Sequence, residues 1–190
     1  MKTVSVMIVG VGGQGSLLAS KLLGRLLVDE GYDVKVSEVH GMSQRGGSVV
    51  TYVRFGDKVY SPIITDGEAD IIISFEKLEA GRYANYLKKG GKIVVNTQQI
   101  DPMPVIIGAA EYPENILDEL TAKGVSVDAL DALSLANEAG SSKAVNIVLM
   151  GKASKYFDIP YEKWITAIEN TVAPKFVEMN KKAFDLGYNS

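Results

Sequence analysis

Two glycine-rich stretches contain the residues that could bind an anion or a small ligand. The first, from Gly10 to Gly15, reads Gly-Val-Gly-Gly-Gln-Gly and matches the spacing G-x-G-x-x-G. When this spacing follows a strand and opens a helix, backbone N–H groups and the helix N-terminus face a phosphate, and glycine lets it approach. Glu38 ends the next predicted strand, where an acidic residue would bind a ribose hydroxyl. The predicted anion or cofactor site consists of Gly10, Gly12, Gly13, Gln14, Gly15 and Glu38. A structural alternative is that these glycines only allow a strand and a helix to pack tightly.

The second stretch, from Glu38 to Gly47, reads Glu-Val-His-Gly-Met-Ser-Gln-Arg-Gly-Gly and holds the only histidine of the chain. A loop that lies free in solvent gains little from three glycines, whereas a loop pressed against another backbone or a cofactor needs them. Arg45 is suited to pair with a phosphate or a carboxylate, although a solvated arginine and a structural histidine are the ordinary alternatives. The candidate loop consists of His40, Gly41, Met42, Ser43, Gln44, Arg45, Gly46 and Gly47.

Glu76 and Glu79 form a candidate acid pair, because positions i and i+3 share one face of a helix. Paired carboxylates can move a proton during a reaction. Both residues also fall in the predicted first turn of a helix, where the helix dipole favours negative charge. We therefore favour a structural role for the pair.

The composition excludes several classes of protein and site. The chain has 190 residues, enough for one domain with a substantial core, and its 46% apolar residues argue against disorder. Without cysteine it cannot form a disulfide, a catalytic thiol or a thiolate-bound zinc or iron–sulfur site, and one histidine cannot build a histidine-rich metal site. A net charge of -3 gives no basic surface for nucleic acid. We find no signal peptide and no apolar run of ~18 residues, so we expect no membrane association and a cytoplasmic location.

The order of apolar runs predicts an α/β fold. Val4 to Val9 and Val34 to Val39 are strand-like and flank an amphipathic helix from Gln14 to Asp29, which makes a βαβ unit. Further strands are predicted at 48–55, 70–75, 92–96 and 125–129, with helices at 76–87, 114–123, 131–139, 143–156, 160–171 and from 174 onward. We predict a three-layer α/β/α architecture with a Rossmann-like, mostly parallel sheet and a helical C-terminal part, in one domain over residues 1–190. Both glycine-rich stretches then lie at the carboxyl edge of the sheet.

Three segments have less regular patterns. Lys58 to Tyr60 is predicted as a short return strand, and Val105 to Ile107 as a short strand within a proline-rich loop. The helix from Lys143 to Tyr156 is apolar nearly all round, so we expect it to be buried, either in this core or against a partner.

Longer motifs resemble one enzyme family. The two glycine-rich stretches, the segments Val-Arg-Phe-Gly and Ser-Pro-Ile, and Ala-Asp-Ile-Ile-Ile-Ser-Phe-Glu-Lys-Leu-Glu-Ala-Gly-Arg resemble the gamma subunit, or domain III, of the 2-oxoacid:ferredoxin oxidoreductases. The run Met-Ser-Gln-Arg-Gly-Gly and the pattern Phe-Glu-x-x-Glu-Ala-x-Arg are most similar to the beta subunits of indolepyruvate oxidoreductases. The resemblance is strong over residues 4–100 and covers the rest by general layout.

This resemblance implies the oxidative decarboxylation of a 2-oxoacid, with the acyl group passing to coenzyme A and electrons to ferredoxin. The family uses thiamine diphosphate, Mg2+ and [4Fe–4S] clusters, and this chain lacks both cysteine and the thiamine diphosphate motif. The resemblance therefore implies a subunit that binds none of these cofactors, has no catalytic residue of its own, is inactive in isolation and depends on a cofactor-bearing alpha subunit. The loop His40–Gly47 would face the partner's active site and enclose substrate or coenzyme A, with Gly10–Gly15 beside it. Homodimers of the isolated chain through its apolar partner surface also fit this prediction.

Two alternatives remain open from the sequence. One is a free-standing Rossmann oxidoreductase that binds NAD through Gly10, Gly12, Gly15 and Glu38, although no hydride-transfer residues follow these positions. The other is a non-catalytic nucleotide-binding or scaffold module. The sequence also leaves open which 2-oxoacid the enzyme would use, whether Gly10–Gly15 binds any ligand, the subunit stoichiometry and the physiological electron acceptor.

Overall fold

The computed structural model describes residues 2–40 and 46–190. Six strands form one sheet in the order β2-β3-β1-β4-β5-β6. Their bounds are β1 Val4–Val11, β2 Asp33–His40, β3 Ser48–Gly56, β4 Ala69–Ser74, β5 Leu87–Asn96 and β6 Ser126–Leu130. Only β3 pairs antiparallel with its neighbours β1 and β2, whereas β1, β4, β5 and β6 pair in parallel. Five of these six strands therefore run in one direction, and the mostly parallel sheet predicted from the sequence is confirmed.

The reversed strand β3 separates the two strands of the predicted βαβ unit. Residues 41–47 join β2 to β3, and so short a connection allows only an antiparallel return, because a parallel crossover needs a dozen or more residues. Strand β3 thus inserts between β1 and β2 in the sheet. Strand β2 still runs parallel to β1 in direction, so both strands end at the same edge.

Helices cover both faces of the sheet and complete the predicted three layers. The helices of the described residues are α1 Ser16–Asp29, α2 Lys77–Arg82, α3 Met103–Ile106, α4 Ile116–Ala122, α5 Ala132–Ala139, α6 Val145–Ser154, α7 Tyr161–Thr171 and α8 Val177–Tyr188. Val6 and Ile8 of β1 pack with α1 and α5–α8, while Met7 and Val9 pack with α2 and α4. Strands buried on both faces explain the continuous apolar runs in the sequence.

Helix α6 lies in the core of this chain. All ten of its residues are buried, and α8 crosses it closely. The suggestion that this apolar helix docks on a partner is therefore wrong, because its surface is already covered by α8, α5, α1 and β5. An all-apolar pattern indicates burial, but it does not tell which element supplies the cover.

Two short strands predicted from the sequence are absent from the described residues. Residues 58–60 are a loop in which Val59 is buried and its N–H bonds to Asp33 Oδ2 at 2.9 Å. Residues 103–106 form helix α3, which begins directly after Pro102. Proline is tolerated in the first turn of a helix, so the proline-rich composition of this segment favoured a loop and concealed the helix. None of the helices in the described part of the chain has the length and apolar character of a membrane span.

Candidate functional site

The first glycine-rich stretch and the last two glycines of the second, Gly46 and Gly47, lie side by side at the carboxyl edge. Gly12 N–H donates a hydrogen bond to the Gly47 carbonyl at 2.8 Å, and Gly46 N–H donates to the Gly12 carbonyl at 3.5 Å. These two bonds, which we call the glycine clasp, continue the β1–β3 ladder one step beyond the Val11–Ser48 pair. Glycines at these positions therefore bring two backbones together, which is one of the uses expected for a glycine-rich loop.

A cleft of about 410 Å³ opens between α1 and the ends of β2 and β3. It is lined by Gly12, Gly13, Gly15, Ser16, Leu17, Glu38, His40 and Val49. Glu38 is exposed and accepts a hydrogen bond from Thr51 Oγ1 at 3.3 Å, which fixes its carboxylate on the cleft side of the sheet. The structure thus brings Glu38 and His40 together with the first glycine-rich turn, whereas Gly41, Met42, Ser43, Gln44 and Arg45 lie outside the described residues.

The glycines of the first turn serve different purposes. Gly13 has φ +101° and its missing Cβ would point into open space, so this glycine allows the turn and leaves room beside it. Gly10 instead allows close packing, because a Cβ there would lie 2.9 Å from Phe75 Cβ. Gly15 is the N-cap of α1 and offers no capping side chain, so no side chain caps the first turn, in which the Leu18 N–H bonds to the Gly15 carbonyl at 3.1 Å. The packing explanation therefore applies to Gly10, and the open space beside Gly13 is compatible with the ligand-binding explanation.

A second cleft of about 570 Å³ lies on the other side of the same turn. Its lining includes Gly13, Gln14 and Gly15 together with Gln98, Lys143 and Asn146. Asn146 is buried on α6 and donates from Nδ2 to the Gly15 carbonyl at 3.2 Å, which joins the C-terminal helices to the turn. Gln98, Lys143 and Asn146 were not predicted from the sequence as site residues. An asparagine within an otherwise apolar helix was the one available signal, because a buried amide needs a polar partner.

Side chains fill the crevice between the ends of β1 and β4. Gln14 Oε1 accepts the Val11 N–H at 2.8 Å, and Gln14 Nε2 donates to the Phe75 carbonyl at 3.0 Å. Asn96 donates to the same carbonyl at 3.1 Å and accepts the Ala132 N–H at 3.1 Å. This crevice, where the chain connections turn to opposite sides of the sheet, is where open α/β sheets bind nucleotides. Gln14 therefore acts as a bridge across the position that a Rossmann cofactor would approach.

Glu76 and Glu79 are buried but do not face each other as an acid pair. Glu76 is the N-cap of α2 and accepts hydrogen bonds from the Glu79 N–H at 3.0 Å, the Ile100 N–H at 3.2 Å and the Tyr112 hydroxyl. Burial, followed by the hydrogen bond to Glu76, raises the pKa of Tyr112, so its hydroxyl remains a donor. Glu79 bonds instead to Ser48 and Arg82. The geometry agrees with the structural role favoured for these residues.

The described residues do not fit the metal cofactors that the resemblance implies. The chain has no cysteine to ligate an iron–sulfur cluster. Within residues 2–40 and 46–190, no three His, Cys, Asp or Glu side chains are grouped as metal ligands. We therefore assign no step of a reaction to such a group on this chain.

Comparisons with known proteins place this architecture in one family. Residues 5–190 match the family model described as pyruvate ferredoxin/flavodoxin oxidoreductase. The chain is 47% identical to the indolepyruvate oxidoreductase subunit IorB of Thermococcus kodakarensis, over 98% of this chain and 95% of that protein. It is 41% identical to the IorB subunit of Archaeoglobus fulgidus, over 98% and 94% of the two chains. The pyruvate oxidoreductase subunit PORC of Thermotoga maritima shares the fold with a TM-score of 0.76 at 19% identity, over 100% of this chain and 97% of that one. The chain belongs to the pyruvate ferredoxin/flavodoxin oxidoreductase family.

Proposed function

We propose that this chain is the smaller, cofactor-free subunit of an indolepyruvate:ferredoxin oxidoreductase. The enzyme would convert an aryl 2-oxoacid and coenzyme A to an acyl-coenzyme A and CO2, and would pass two electrons to ferredoxin. The observation that carries this proposal is the 47% identity to an indolepyruvate oxidoreductase subunit along nearly the whole of both chains. The absence of cysteine is consistent with it, because the iron–sulfur clusters of such an enzyme must then lie on another chain.

The cofactor-bearing alpha subunit would supply thiamine diphosphate, Mg2+ and [4Fe–4S] clusters, whose chemistry is the decarboxylation of the 2-oxoacid and the removal of electrons. This chain's own contribution would be to bind the co-substrate at the carboxyl edge of its sheet and to enclose the partner's active site. The uncapped N-terminus of α1, at Gly15, is suited to an anionic group such as a phosphate of coenzyme A. His40 lines the same cleft, and the loop from His40 to Gly47 would close one side of the partner's active site.

A contact with another chain is supported by apolar residues left at the surface. Met103, Ile106 and Ile107, on and just after α3, are 64%, 65% and 68% exposed. Several large apolar side chains so close together at a surface are typical of a protein–protein contact. We propose that the alpha subunit covers surface of this kind in the assembled enzyme, that the isolated chain pairs with itself there, and that the assembly works in the cytoplasm.

The NAD-binding alternative has less support. Gln14 and Asn96 occupy the crevice that a dinucleotide would use, and Gly10 is required for packing against Phe75. The family assignment also favours a subunit of a larger enzyme over a free-standing dehydrogenase or a scaffold module.

An anaerobic pull-down of the tagged chain from its native cells tests the proposed function. We expect a brown, thiamine-containing partner and an eluate that reduces ferredoxin with indolepyruvate and coenzyme A faster than with pyruvate or 2-oxoglutarate. A colourless protein that binds NAD would contradict the proposal. Preference for a different 2-oxoacid would contradict the substrate assignment alone.

The loop is tested separately by replacing His40 or Arg45 with alanine in the assembled enzyme. We expect either variant to assemble and to lose turnover, because the loop would act on a ligand in the partner's active site. Unchanged turnover in both variants would contradict the role of the loop.

A further inference from the structure

The first residues of β3 lie beside the cleft, and a side chain on the opposite face of the sheet holds them in place. Val49 lines the cleft, whereas Ser48 points the other way, toward α2, because neighbouring residues of a strand alternate between faces. On that side Ser48 Oγ donates a hydrogen bond to Glu79 Oε2, and the Tyr83 hydroxyl lies 3.1 Å from Ser48 Oγ. A buried carboxylate on α2 therefore anchors the first residue of β3.

Glu79 is a rigid anchor because both of its carboxylate oxygens have partners. The residue is 4% exposed, and Arg82 Nε donates to Glu79 Oε1 at 3.1 Å. Its backbone N–H donates to the N-cap Glu76, which fixes the first turn of α2. A buried carboxylate is costly unless it is paired and hydrogen-bonded, so its position tolerates little movement. The oxygen that remains for Ser48 is thus held at one place.

Ser48 is the first residue after the loop whose side chain can be anchored. Gly46 and Gly47 precede it, and neither has a side chain to pack. Gly46 has φ +75° and open space where a Cβ would lie, so the protein does not confine it sterically. Besides its pairing with β1 and β2, this strand end is held by the glycine clasp and by the Ser48–Glu79 hydrogen bond, which is its side-chain anchor.

We propose that Glu79 is a positioning residue for the cleft at the carboxyl edge. By holding Ser48, Glu79 maintains the hydrogen bond from the Gly12 N–H to the Gly47 carbonyl and keeps Val49 in the cleft wall opposite α1. The cleft is then preorganised for the anionic co-substrate, and the strand end does not have to be ordered when the ligand binds. This inference rests on the proposed function, in which that co-substrate is coenzyme A.

Ser48→Ala tests the proposal most cleanly, because it removes the donor and leaves Glu79 paired with Arg82. In the assembled enzyme we expect the KM for coenzyme A to rise about tenfold while kcat changes less than about twofold, since the lost interaction affects binding rather than chemistry. Ser48→Thr keeps the hydroxyl and should restore most of the wild-type KM. Glu79→Gln keeps the shape but removes the charge, and should shift the KM in the same direction to a smaller extent.

Ser134→Ala is the matched control. Ser134 Oγ also donates to a carboxylate, Asp131 Oδ2 at 2.6 Å, but at the start of α5 and away from the glycine clasp. This variant should leave the KM for coenzyme A unchanged.

Amide hydrogen exchange of residues 46–50 in the isolated chain gives a readout that needs no activity. We expect faster exchange in Ser48→Ala, wild-type exchange in Ser48→Thr, and no change in Ser134→Ala. Unchanged exchange and unchanged KM in Ser48→Ala would overturn the positioning role. If the wild-type complex turned over no 2-oxoacid, the proposed function and the assignment to coenzyme A would fail, while the exchange data would still decide whether Glu79 holds the strand end.

Discussion

The α6–α8 pair and the carboxyl edge of the sheet both depend on glycine, but for opposite reasons. In the helix pair, a Cβ on Gly151 would lie 2.1 Å from the Phe184 carbonyl oxygen, and a Cβ on Gly187 would lie 1.9 Å from the Val148 carbonyl oxygen. At the edge, a Cβ on Gly13 would meet nothing within 4 Å. Glycine therefore removes volume where two helices touch and supplies backbone freedom where a ligand would approach.

The two regions also differ in the kind of side chain that holds them together. The helix pair is surrounded by apolar and aromatic side chains, such as Trp164 stacked on Phe184 with ring centroids 5.8 Å apart. The carboxyl edge instead uses the side-chain amides Gln14, Asn96 and Asn146 to join strand ends, a turn and a helix. We conclude that the first region holds the fold together and that the second shapes the surface that the partner and the substrate would meet.

The largest loss of stability is expected from a substitution between α6 and α8. Gly187→Ala places a methyl group against the backbone of Val148, which cannot move without separating α6 from α8. We expect a loss of about 3 kcal/mol or more in the free energy of unfolding, measured by denaturant titration.

Gly24→Ala is the control, because Gly24 also lies inside a helix but a Cβ there would have its nearest atom, Val36 Cγ2, at 3.7 Å. That variant should gain up to about 1 kcal/mol from helix propensity. Equal effects of the two substitutions would contradict the distinction between packed and open glycines.

A smaller effect is expected from Asn96→Ala at the carboxyl edge. The substitution leaves the buried Ala132 N–H without its acceptor and removes a donor from the Phe75 carbonyl, which Gln14 still contacts. We expect a loss of about 2 kcal/mol in unfolding free energy. A loss as large as that of Gly187→Ala would mean that the polar edge also carries the stability of the fold.

The smallest effect is expected at the start of α5, where Asp131 caps the helix through the Ser134 N–H and hydroxyl. The Ser134 side-chain hydrogen bond is the main cause that lowers the pKa of Asp131 below its usual 3.8. Because the folded-state pKa is the lower one, the stabilisation is present above pH 3.8 and is lost as the pH falls through the folded-state pKa. Asp131→Ala should cost about 1 kcal/mol at neutral pH.

Unfolding free energies of wild type and Asp131→Ala, compared from neutral to acid pH, check this prediction. The difference between the two proteins should shrink toward zero in acid. A difference that stays constant with pH would show that the carboxylate charge is not responsible.

Much of the sheet was predictable because its strands are buried on both faces and appear as apolar runs. Strands β1 and β4 and the helices α1 and α7 lie within a few residues of the predicted bounds. The insertion of β3 between β1 and β2 was not predicted, since the periodicity of the apolar residues does not give the order of strands in a sheet. The sequence left open whether this core or a partner covers α6, because the contact depends on glycines that lie 36 residues apart, at 151 and 187.

The candidate site was predictable in its glycines and in Gln14, but not in the amides that come from distant segments. Gly10–Gly15 and Glu38 were predicted from their spacing. In the structure Glu38 lines the first cleft, and residues 12–15 line the first cleft, the second cleft or both. Gln98 and Asn146 come from distant segments, and only the folded chain brings them to the turn. A spacing motif identifies one strand–turn–helix unit, whereas a cleft is built from several.

Hydrogen exchange of the isolated chain and of the chain in its native complex tests the division between the two regions most directly. We predict that assembly slows exchange in residues 10–15 and 46–50 and leaves residues 145–154 of α6 nearly unchanged, because all ten residues of α6 are already buried in this chain. Slowed exchange confined to residues 145–154, with none at the carboxyl edge, would contradict the account.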